Sequence, residues 1–339
     1  MSKKQRNYTV AVLTVRENMS RTTEFLRSRG KTEFLAVMER GQLALAHLDD
    51  YDRIPIELVS QSIKQAAKLT GEPNLGLLIG QLVHLQLASV LTLDKFPAIP
   101  RLAFQLLARY VMIMSEVVTI NVEDCENATS LVVRTNSPEV SYHQVEGVFS
   151  LMSKFMDKIN GPTPIRMCFR HSCPVEDYSV YEKAFGIVPE FNSSTNAVYY
   201  PRNSFDKEYG VTKSFDLEAI GKLERRHNKV FPDNKLSERC KFLLEQVLPY
   251  GEPGKQKVAS MLGMNARTFQ RRLKEEETNY TKILTELRMA LSQKYLDSGE
   301  YSNGELAFLL GYRDPSQFYR SFRNWFDLSP IQYRQQLTN

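Results

Sequence analysis

At 339 residues the chain is long enough for two domains of ordinary size, and its 42% hydrophobic and 24% charged residues favour a globular protein over a disordered chain. Four cysteines are too few for a disulfide-stapled scaffold and indicate reduced thiols in a cytoplasmic protein. The net charge of +5 is compatible with a polyanionic partner, and most of it lies after residue 234, where 16 Lys and Arg stand against 12 Asp and Glu.

The first part of the chain is predicted to be mostly helical. Residues 22–28 and 33–38 have the composition of short helices. Pro55 stands in the first turn of a longer helix, whose apolar residues recur at helical spacing until Gly71. Pro100 opens another long amphipathic helix, so helices dominate up to about residue 115.

One uncharged stretch, residues 75–93, is long enough to cross a bilayer. Gln81, His84 and Gln86 stand at its centre, where their polar groups would find no water to bond. We therefore expect a buried helix and loop here, and no membrane contact. The apolar run at residues 10–15 is too short for a signal sequence.

From residue 117 the apolar period changes, which predicts an α+β domain. Strands are expected over 117–122, 131–134, 165–170 and 197–200, with helices over 145–159 and 178–185. Residues 225–235 are polar, charged and broken by Pro232, which favours a linker. The predicted organisation is an α+β domain over 1–224, a linker over 225–235 and an all-α domain over 236–339.

The all-α domain contains a near-repeat. In each copy a small residue stands where two helices would cross, and a glycine follows at the turn, the pairs being Ala259 with Gly263 and Ala307 with Gly311. These pairs are 48 residues apart, whereas Phe269 and Phe318 are 49 apart, so the second turn is expected to be one residue longer. The pattern predicts two helix-turn-helix units joined by a long helix over about 283–296.

The second helix of each unit alternates inward apolar residues with outward polar and basic ones. Arg, Gln, Ser and Thr are the side chains that hydrogen-bond base edges in the major groove. Contacts with base edges are expected from Ala266, Arg267, Thr268, Gln270, Arg271, Ser316, Gln317, Tyr319 and Arg320. Contacts with phosphates are expected from Arg272, Lys274 and Arg323. A plain helical bundle is the alternative, but two copies with basic outer faces favour binding to double-stranded DNA.

Three segments of the second unit match a known signature almost position by position: Leu306-Ala-x-x-Leu-Gly-Tyr, Ser316-Gln-Phe-Tyr-Arg-Ser-Phe and Phe326-Asp-Leu-Ser-Pro-Ile-Gln-Tyr-Arg. Residues from about 236 to 335 thereby resemble the DNA-binding domain of AraC/XylS-type transcription regulators. The resemblance implies that one monomer places both recognition helices in successive major-groove segments, about 34 Å apart on one face of the duplex. It also implies an activator that contacts RNA polymerase.

The first two thirds of the chain is similar, less tightly, to the effector-binding domain of ornithine-utilisation-type AraC regulators. The similarity is carried by Arg53-Ile-Pro, Thr70-Gly-Glu-Pro-Asn-Leu-Gly, Leu107-Ala-Arg-Tyr and Tyr181-x-x-x-Phe185-Gly. It implies that residues 1–224 bind a small-molecule effector, although no effector-binding residue is assigned. We also expect this domain to pair two chains into a homodimer. The alternative is a DNA-binding regulator whose first domain serves only dimerisation or protein interaction.

No constellation indicates an enzyme, a metal site or a cofactor. Cys168, His171 and Cys173 lack the spacing of a zinc site, and no second Cys/His cluster lies nearby in sequence. His84 and His143 fall on apolar stretches and are expected to be core histidines. The acidic run at 275–277 is expected to be a solvated helix end.

Overall fold

The computed structural model describes residues 9–32, 35–49, 52–81, 86–87, 91–92, 97–209, 217–230, 232–299 and 301–337. Its residues divide into two compact units. The first unit holds the described residues up to 92 together with 98–209, and the second holds Pro97 and the described residues from 217 onward. The first combines helices with antiparallel sheets and the second is helical in its described part, which confirms the predicted fold class.

The N-terminal half of the first unit is mainly helical. Its elements are β1 (Thr9–Ala11), α1 (Val12–Ser28), α2 (Leu35–Leu45), β2 (Arg53–Pro55), α3 (Ile56–Thr70), α4 (Leu75–Gln81), β3 (Gln86–Leu87) and β4 (Leu91–Thr92). Strand β1 pairs antiparallel with β2, and β3 pairs antiparallel with β4. Helix α3 ends at Gly71, whose φ of 69° lies in the left-handed region that glycine adopts without strain.

Helix α1 is longer than the sequence predicts, because tertiary contacts hold its polar first half. Arg16 donates hydrogen bonds from Nη2 to the carbonyl oxygens of Leu45 and Leu48, at 2.6 and 2.5 Å. These oxygens lie at and after the end of α2, so α1 is fixed against that helix from its first turns. An amphipathic pattern alone does not reveal such a contact.

Part of the uncharged stretch forms the buried helix α4, whereas His84 lies outside the described residues. Within the described parts of the chain, no helix combines the length and apolar character needed to cross a membrane.

The C-terminal half of the first unit is a four-stranded antiparallel sheet with its helices. Its elements are α5 (Pro100–Met114), β5 (Val118–Asp124), β6 (Ala128–Thr135), α6 (Tyr142–Lys158), β7 (Arg166–Cys168), α7 (Ser179–Phe185) and β8 (Asn196–Pro201). The strand order is β5-β6-β8-β7. The ring of Phe104 on α5 contacts those of Phe155 on α6 and Phe205, with centroids 5.4 and 5.8 Å apart. These aromatic contacts join both long helices in one core.

The second unit consists of consecutive helices. They are α8 (Leu217–Val230), α9 (Leu236–Val247), α10 (Gly254–Met261), α11 (Ala266–Glu275), α12 (Tyr280–Ser298), α13 (Asn303–Leu309), α14 (Pro315–Phe326) and α15 (Pro330–Leu337). Helix α12 is the long joining helix that the near-repeat predicts. Asn279 caps its start by accepting the backbone N–H of Lys282 at 2.9 Å.

Helix α8 lies in the second unit and not in the first domain or linker expected from the sequence. Residues 225–230 are helical, and the buried residues Ala219, Ile220 and Leu223 anchor the helix. Glu224 also forms a buried ion pair with Arg239 of α9, with 2.9 Å between Oε1 and Nε. The many charges of this segment suggest a linker, but part of that charge is paired inside the unit.

Candidate nucleic-acid interface

The first helix-turn-helix unit is formed by α10 and α11, with residues 262–265 between them. Ala259 is fully buried, so its small side chain lets neighbouring backbone approach closely. Gly263 has a φ of 74°, which a residue with a Cβ adopts only with strain. The side chains of Phe269 and Leu273 are buried and form the inner face of α11. Asn265 caps α11 by accepting the backbone N–H of Thr268 at 2.8 Å.

The second unit repeats this arrangement with α13 and α14, separated by residues 310–314. This turn is one residue longer than the first, in agreement with the spacing of the two phenylalanines. Ala307, Phe318 and Phe322 are fully buried. Asp314 caps α14 by accepting the backbone N–H and the hydroxyl of Ser316, at 2.9 and 3.0 Å.

Both second helices turn their polar side chains outward. On α11, Arg267, Gln270 and Arg271 are exposed, and Ala266 and Thr268 are half-buried. Arg271 is paired along the helix with Glu275, at 2.5 Å between Nη1 and Oε1. A cation in such an exposed pair can exchange its partner at little cost.

On α14, Ser316, Gln317 and Arg320 are exposed and Tyr319 is half-buried. The Ser316 hydroxyl donates to Asp314, so it can offer a base its acceptor lone pairs while that bond is kept.

The three residues expected to contact phosphates, Arg272, Lys274 and Arg323, are also exposed. Each lies in the last turns of its helix, beyond the residues expected to contact bases. The structure thus leaves the two groups of expected DNA-contacting side chains accessible, and their contacts with DNA stay a prediction.

A buried arginine that sequence reasoning missed braces the second turn. Arg288, on the joining helix α12, donates from Nε to the carbonyl oxygen of Leu310 at 2.8 Å. Its Nη2 donates to the carboxylate of Glu252 at 3.0 Å and to the carbonyl oxygen of Gly311 at 3.4 Å. The guanidinium also lies 4.0 Å from the ring centroid of Tyr312, a cation–π distance.

The first turn is braced in a similar way from α8. Arg225 donates from Nη1 to the carbonyl oxygen of Met261 at 2.7 Å, at the end of α10. Its Nη2 is paired with Glu218 at 2.9 Å. An arginine therefore satisfies carbonyls at the end of the first helix in both units, where helices otherwise leave acceptors unpaired.

Glu276, within the acidic run, has a structural contact that the sequence did not predict. Its carboxylate accepts the backbone N–H groups of Leu236 and Ser237, at 2.7 and 2.9 Å, and so caps the start of α9. Partial burial raises the pKa of this carboxyl, but the hydrogen bonds from Ser237 and Leu236 outweigh it and lower the pKa overall.

In the N-terminal unit, Cys168, one of the two cysteines considered for metal binding, packs inside the fold. Cys168 is buried, and its thiol lies 3.7 Å from the carbonyl oxygen of Ala197 as a donor. His171 instead faces Glu146, with 3.7 Å between Nε2 and Oε1. Among the described residues, no group of three or more His, Cys, Asp or Glu side chains is placed to hold a metal ion.

Glu146 is the centre of a buried polar cluster in the first unit. The carboxylate is fully buried and accepts the hydroxyl of Tyr181 at 2.5 Å. Burial raises the pKa of Glu146 to about 7, although the hydrogen bond from Tyr181 opposes the shift. Burial also lowers the pKa values of His143, to about 4, and of His171, so it favours the neutral form of both imidazoles.

Comparisons with known proteins match a family model to each of the two halves of the chain. Residues 33–208 match the family model described as the arabinose-binding domain of AraC transcription regulators, N-terminal. Residues 258–336 match the model described as a helix-turn-helix domain.

The curated relatives are transcription regulators. The HTH-type transcriptional regulator VirS of Mycobacterium tuberculosis is 37% identical over 102 residues, which cover only 30% of each chain. The ornithine utilization regulator of Pseudomonas aeruginosa is 22% identical over 284 residues, covering 81% of this chain and 83% of that protein.

Among solved structures, the crystal structure of the transcriptional regulator CdpR from Pseudomonas aeruginosa aligns with a TM-score of 0.48 and 22% identity. It covers 83% of this chain and 93% of that chain. The matched families and relatives are regulators and not enzymes, in agreement with the expectation from the sequence. Because one matching family model spans more than half of its residues, this chain belongs to the AraC family of transcription regulators.

Proposed function

We propose that the protein is a sequence-specific DNA-binding activator controlled by a small-molecule effector in its first unit. The observation that carries DNA binding is the pair of outward-facing helices α11 and α14, each fixed from behind by buried Ala, Phe and Leu side chains. Their exposed Arg and Gln side chains have the chemistry that reads base edges in a major groove.

We expect the joining helix α12 to set the spacing of the two recognition helices, α11 and α14. Helix α12 has 19 residues, which corresponds to a length of about 28 Å. Successive major-groove segments on one face of B-DNA lie about 34 Å apart. We therefore expect the operator to bend when both helices are inserted, at a cost that depends on its sequence.

The test of this function is a footprint of the full-length protein on the promoter upstream of its own gene. Protection of two segments about one helical turn apart supports the proposal. Transcription from the same promoter with purified RNA polymerase separates activation, which is expected, from repression. Unchanged or reduced transcript levels would contradict the activator role.

Effector control has one competing candidate, in which the first unit only pairs two chains or binds another protein. The match of residues 33–208 to a family model described as arabinose-binding favours effector control. Thermal-shift screening with amino acids, sugars, fatty acids and small apolar compounds separates the two, since a ligand that binds only the folded state raises its stability. We expect a homodimer, and its mass in solution can be measured by light scattering.

A further inference from the structure

Helix α8 packs closely against the first helix-turn-helix unit at a glycine. Gly221 is buried, and a Cβ at this position would lie 3.1 Å from Cα and 3.2 Å from Cβ of Met261, the last residue of α10. These distances are shorter than an ordinary van der Waals contact, so only a glycine lets α8 and the end of α10 approach this closely. Ile220 and Leu223, on the same helix, are 0% and 2% exposed, so α8 is part of the core here.

Arg225, one turn further along α8, contacts the turn that follows α10. Its Nη1 donates to the carbonyl oxygens of Met261 and Ser260, at 2.7 and 3.4 Å. Its Nη2 pairs with Glu218 at 2.9 Å, which orients the guanidinium. A Cβ at Gly263 would lie 3.0 Å from Cδ of Arg225, so the aliphatic stem of the arginine lies against the glycine of the turn.

The carbonyl oxygen of Met261 differs from those before it. The carbonyl oxygens of Val258, Ala259 and Ser260 accept backbone N–H groups of the turn, at 2.9 to 3.0 Å. For Met261, the hydrogen bond that the described residues provide comes from the side chain of Arg225. A helix leaves its last carbonyls without partners inside the helix. The first turn is therefore held in part by a helix that does not belong to the α10–α11 pair.

The turn of the second helix-turn-helix unit is held from another place. Arg288 donates to the carbonyl oxygens of Leu310 and Gly311 from α12. Helix α12 stands between the two helix-turn-helix units in the chain, whereas α8 precedes both of them. A disturbance of α8 should therefore reach the first turn and leave the second turn held by Arg288.

We infer that α8 is a positioning helix for the first recognition helix: through Gly221 and Arg225 it holds the α10–α11 turn in the conformation in which α11 reads DNA. The inference rests on the proposed function, and it implies that reading by α11 can be weakened while reading by α14 is kept. In the chain, α8 follows the described part of the first unit, which ends at residue 209. An effector that loosens α8 would therefore alter reading by α11 alone.

Arg225→Met tests the inference, because it removes the hydrogen-bond donors and keeps an unbranched stem beside Gly263. Lys222→Met is the matched control, since Lys222 is exposed on the same helix and the substitution removes the same charge. The DNA probes are the promoter upstream of the gene and two variants of it, each with the bases of one footprinted segment scrambled. Fluorescence anisotropy of the full-length protein at one salt concentration gives the affinities.

The two segments are assigned by the recognition helices themselves. The segment whose scrambling no longer matters in Arg267→Ala is the one that α11 reads, and Arg320→Ala assigns the other to α14 in the same way.

Wild type and Lys222→Met are expected to lose affinity when either segment is scrambled. Arg225→Met should bind the intact promoter on the order of tenfold more weakly, because one charge-assisted hydrogen bond no longer favours the reading conformation. Scrambling the α11 segment should then weaken its binding little further. Scrambling the α14 segment should weaken it by as large a factor as in wild type.

Gly221→Ala should give the same pattern, since its new Cβ meets the backbone of α10. Gly304→Ala, on α13, is its control, because a Cβ there lies at an ordinary contact distance of 4.0 Å from Oγ of Ser302. This control is expected to stay sensitive to both scrambled segments.

Hydrogen–deuterium exchange of the protein without DNA separates failure of the inference from failure of the proposed function. In Arg225→Met, the amides of residues 262–266 are expected to exchange several-fold faster than in wild type, because the turn opens more often. The amides of residues 310–315 should exchange at the wild-type rate.

An Arg225→Met protein that stays sensitive to both scrambled segments, or loses sensitivity to both, would overturn the inference. So would unchanged exchange in the first turn, or faster exchange in both turns. A wild type that binds scrambled DNA as tightly as its promoter would count against the proposed function, and the exchange rates would still decide whether α8 holds the first turn.

Discussion

Arg288 and Leu310 are 22 positions apart in the chain, and the guanidinium Nε of the first donates to the carbonyl oxygen of the second at 2.8 Å. Through this bond the helix that joins the two helix-turn-helix units also fixes the turn of the second one. The guanidinium also contacts Glu252, in the segment before helix α10. One side chain thus holds together the joining helix, the turn after α13 and the segment before α10.

Replacement of Arg288 is expected to destabilise the second helix-turn-helix unit. Arg288→Ala leaves the carbonyl of Leu310 without its donor in a buried place, and should lower the free energy of unfolding by about 2–3 kcal/mol. Lys282→Ala, at an exposed position on the same helix, should change it by less than about 0.5 kcal/mol. Denaturant unfolding, followed by fluorescence of the single Trp325, measures both, and equal effects would contradict the bracing role.

The turn of the second helix-turn-helix unit should tolerate a side chain at Gly311 less well than its backbone conformation alone predicts. Gly311 has a φ of 75°, and a Cβ there would lie 2.8 Å from Cδ2 and 3.1 Å from the carbonyl oxygen of Leu248. Gly299 has a φ of 69° but open space around its Cβ.

Gly299→Ala therefore reports the conformational cost alone, about 1 kcal/mol. Gly311→Ala adds the steric overlap and should cost at least about 1 kcal/mol more. Thermal unfolding of the two variants side by side gives the difference. A Gly311→Ala variant no less stable than Gly299→Ala would show that the turn can move away from Leu248.

Arginines on the two outward faces are expected to carry sequence specificity. Arg267→Ala and Arg320→Ala should each weaken binding to the specific operator by about 1–3 kcal/mol, with less effect on unrelated DNA. Lys274→Ala should weaken binding to all sequences similarly and reduce the slope of log affinity against log salt by about one. Fluorescence anisotropy over a salt series measures these quantities, and unchanged operator affinity in both arginine variants would mean that other faces meet the DNA.

The stability of the first unit should depend on the ionisation of Glu146. Its pKa is about 7 in the folded protein against an ordinary 4.5, so the folded state holds a proton that the unfolded state releases between these values. Protonation of Glu146 therefore stabilises the fold fully below about pH 4.5, and this contribution is lost as the pH rises through 7. The shift corresponds to about 3 kcal/mol.

Buried His143 has the opposite dependence, because its pKa is lowered and its neutral form is favoured as the pH rises. Because wild type and Glu146→Gln both contain His143, its contribution cancels in the difference between their free energies of unfolding. The free energy of unfolding of Glu146→Gln relative to wild type should rise by up to about 3 kcal/mol from pH 5 to pH 8. Denaturant unfolding followed by circular dichroism at the two pH values checks this, and a pH-independent difference would contradict it.

The helix-turn-helix units could be predicted because their requirements are local. Ala259 and Gly263 stand at fixed offsets in the sequence, and steric limits at a helix crossing and a left-handed turn leave few other residues possible. The strands of the four-stranded sheet were likewise visible from alternation. By contrast, Arg288 has the sequence appearance of a surface cation, since its partners lie 22 and 36 positions away.

The sequence predicts helix α8 as part of the first domain and the linker, and this prediction fails for a related reason. Its charged composition hides the short apolar stripe of Ala219, Ile220 and Leu223, and the partner of Glu224 lies on another helix. The pocket between helices α1, α3, α4, α5 and α6 could not be predicted either, because these helices come from different parts of the chain.

A footprint of the full-length protein on its own upstream promoter, at low ionic strength, decides whether the two outward helices read DNA. The expected result is protection of two segments about one turn apart on one face of the duplex, lost in the Arg267→Ala/Arg320→Ala double variant. Absence of protection in the wild type, or protection that the double variant leaves intact, would contradict this function for α11 and α14.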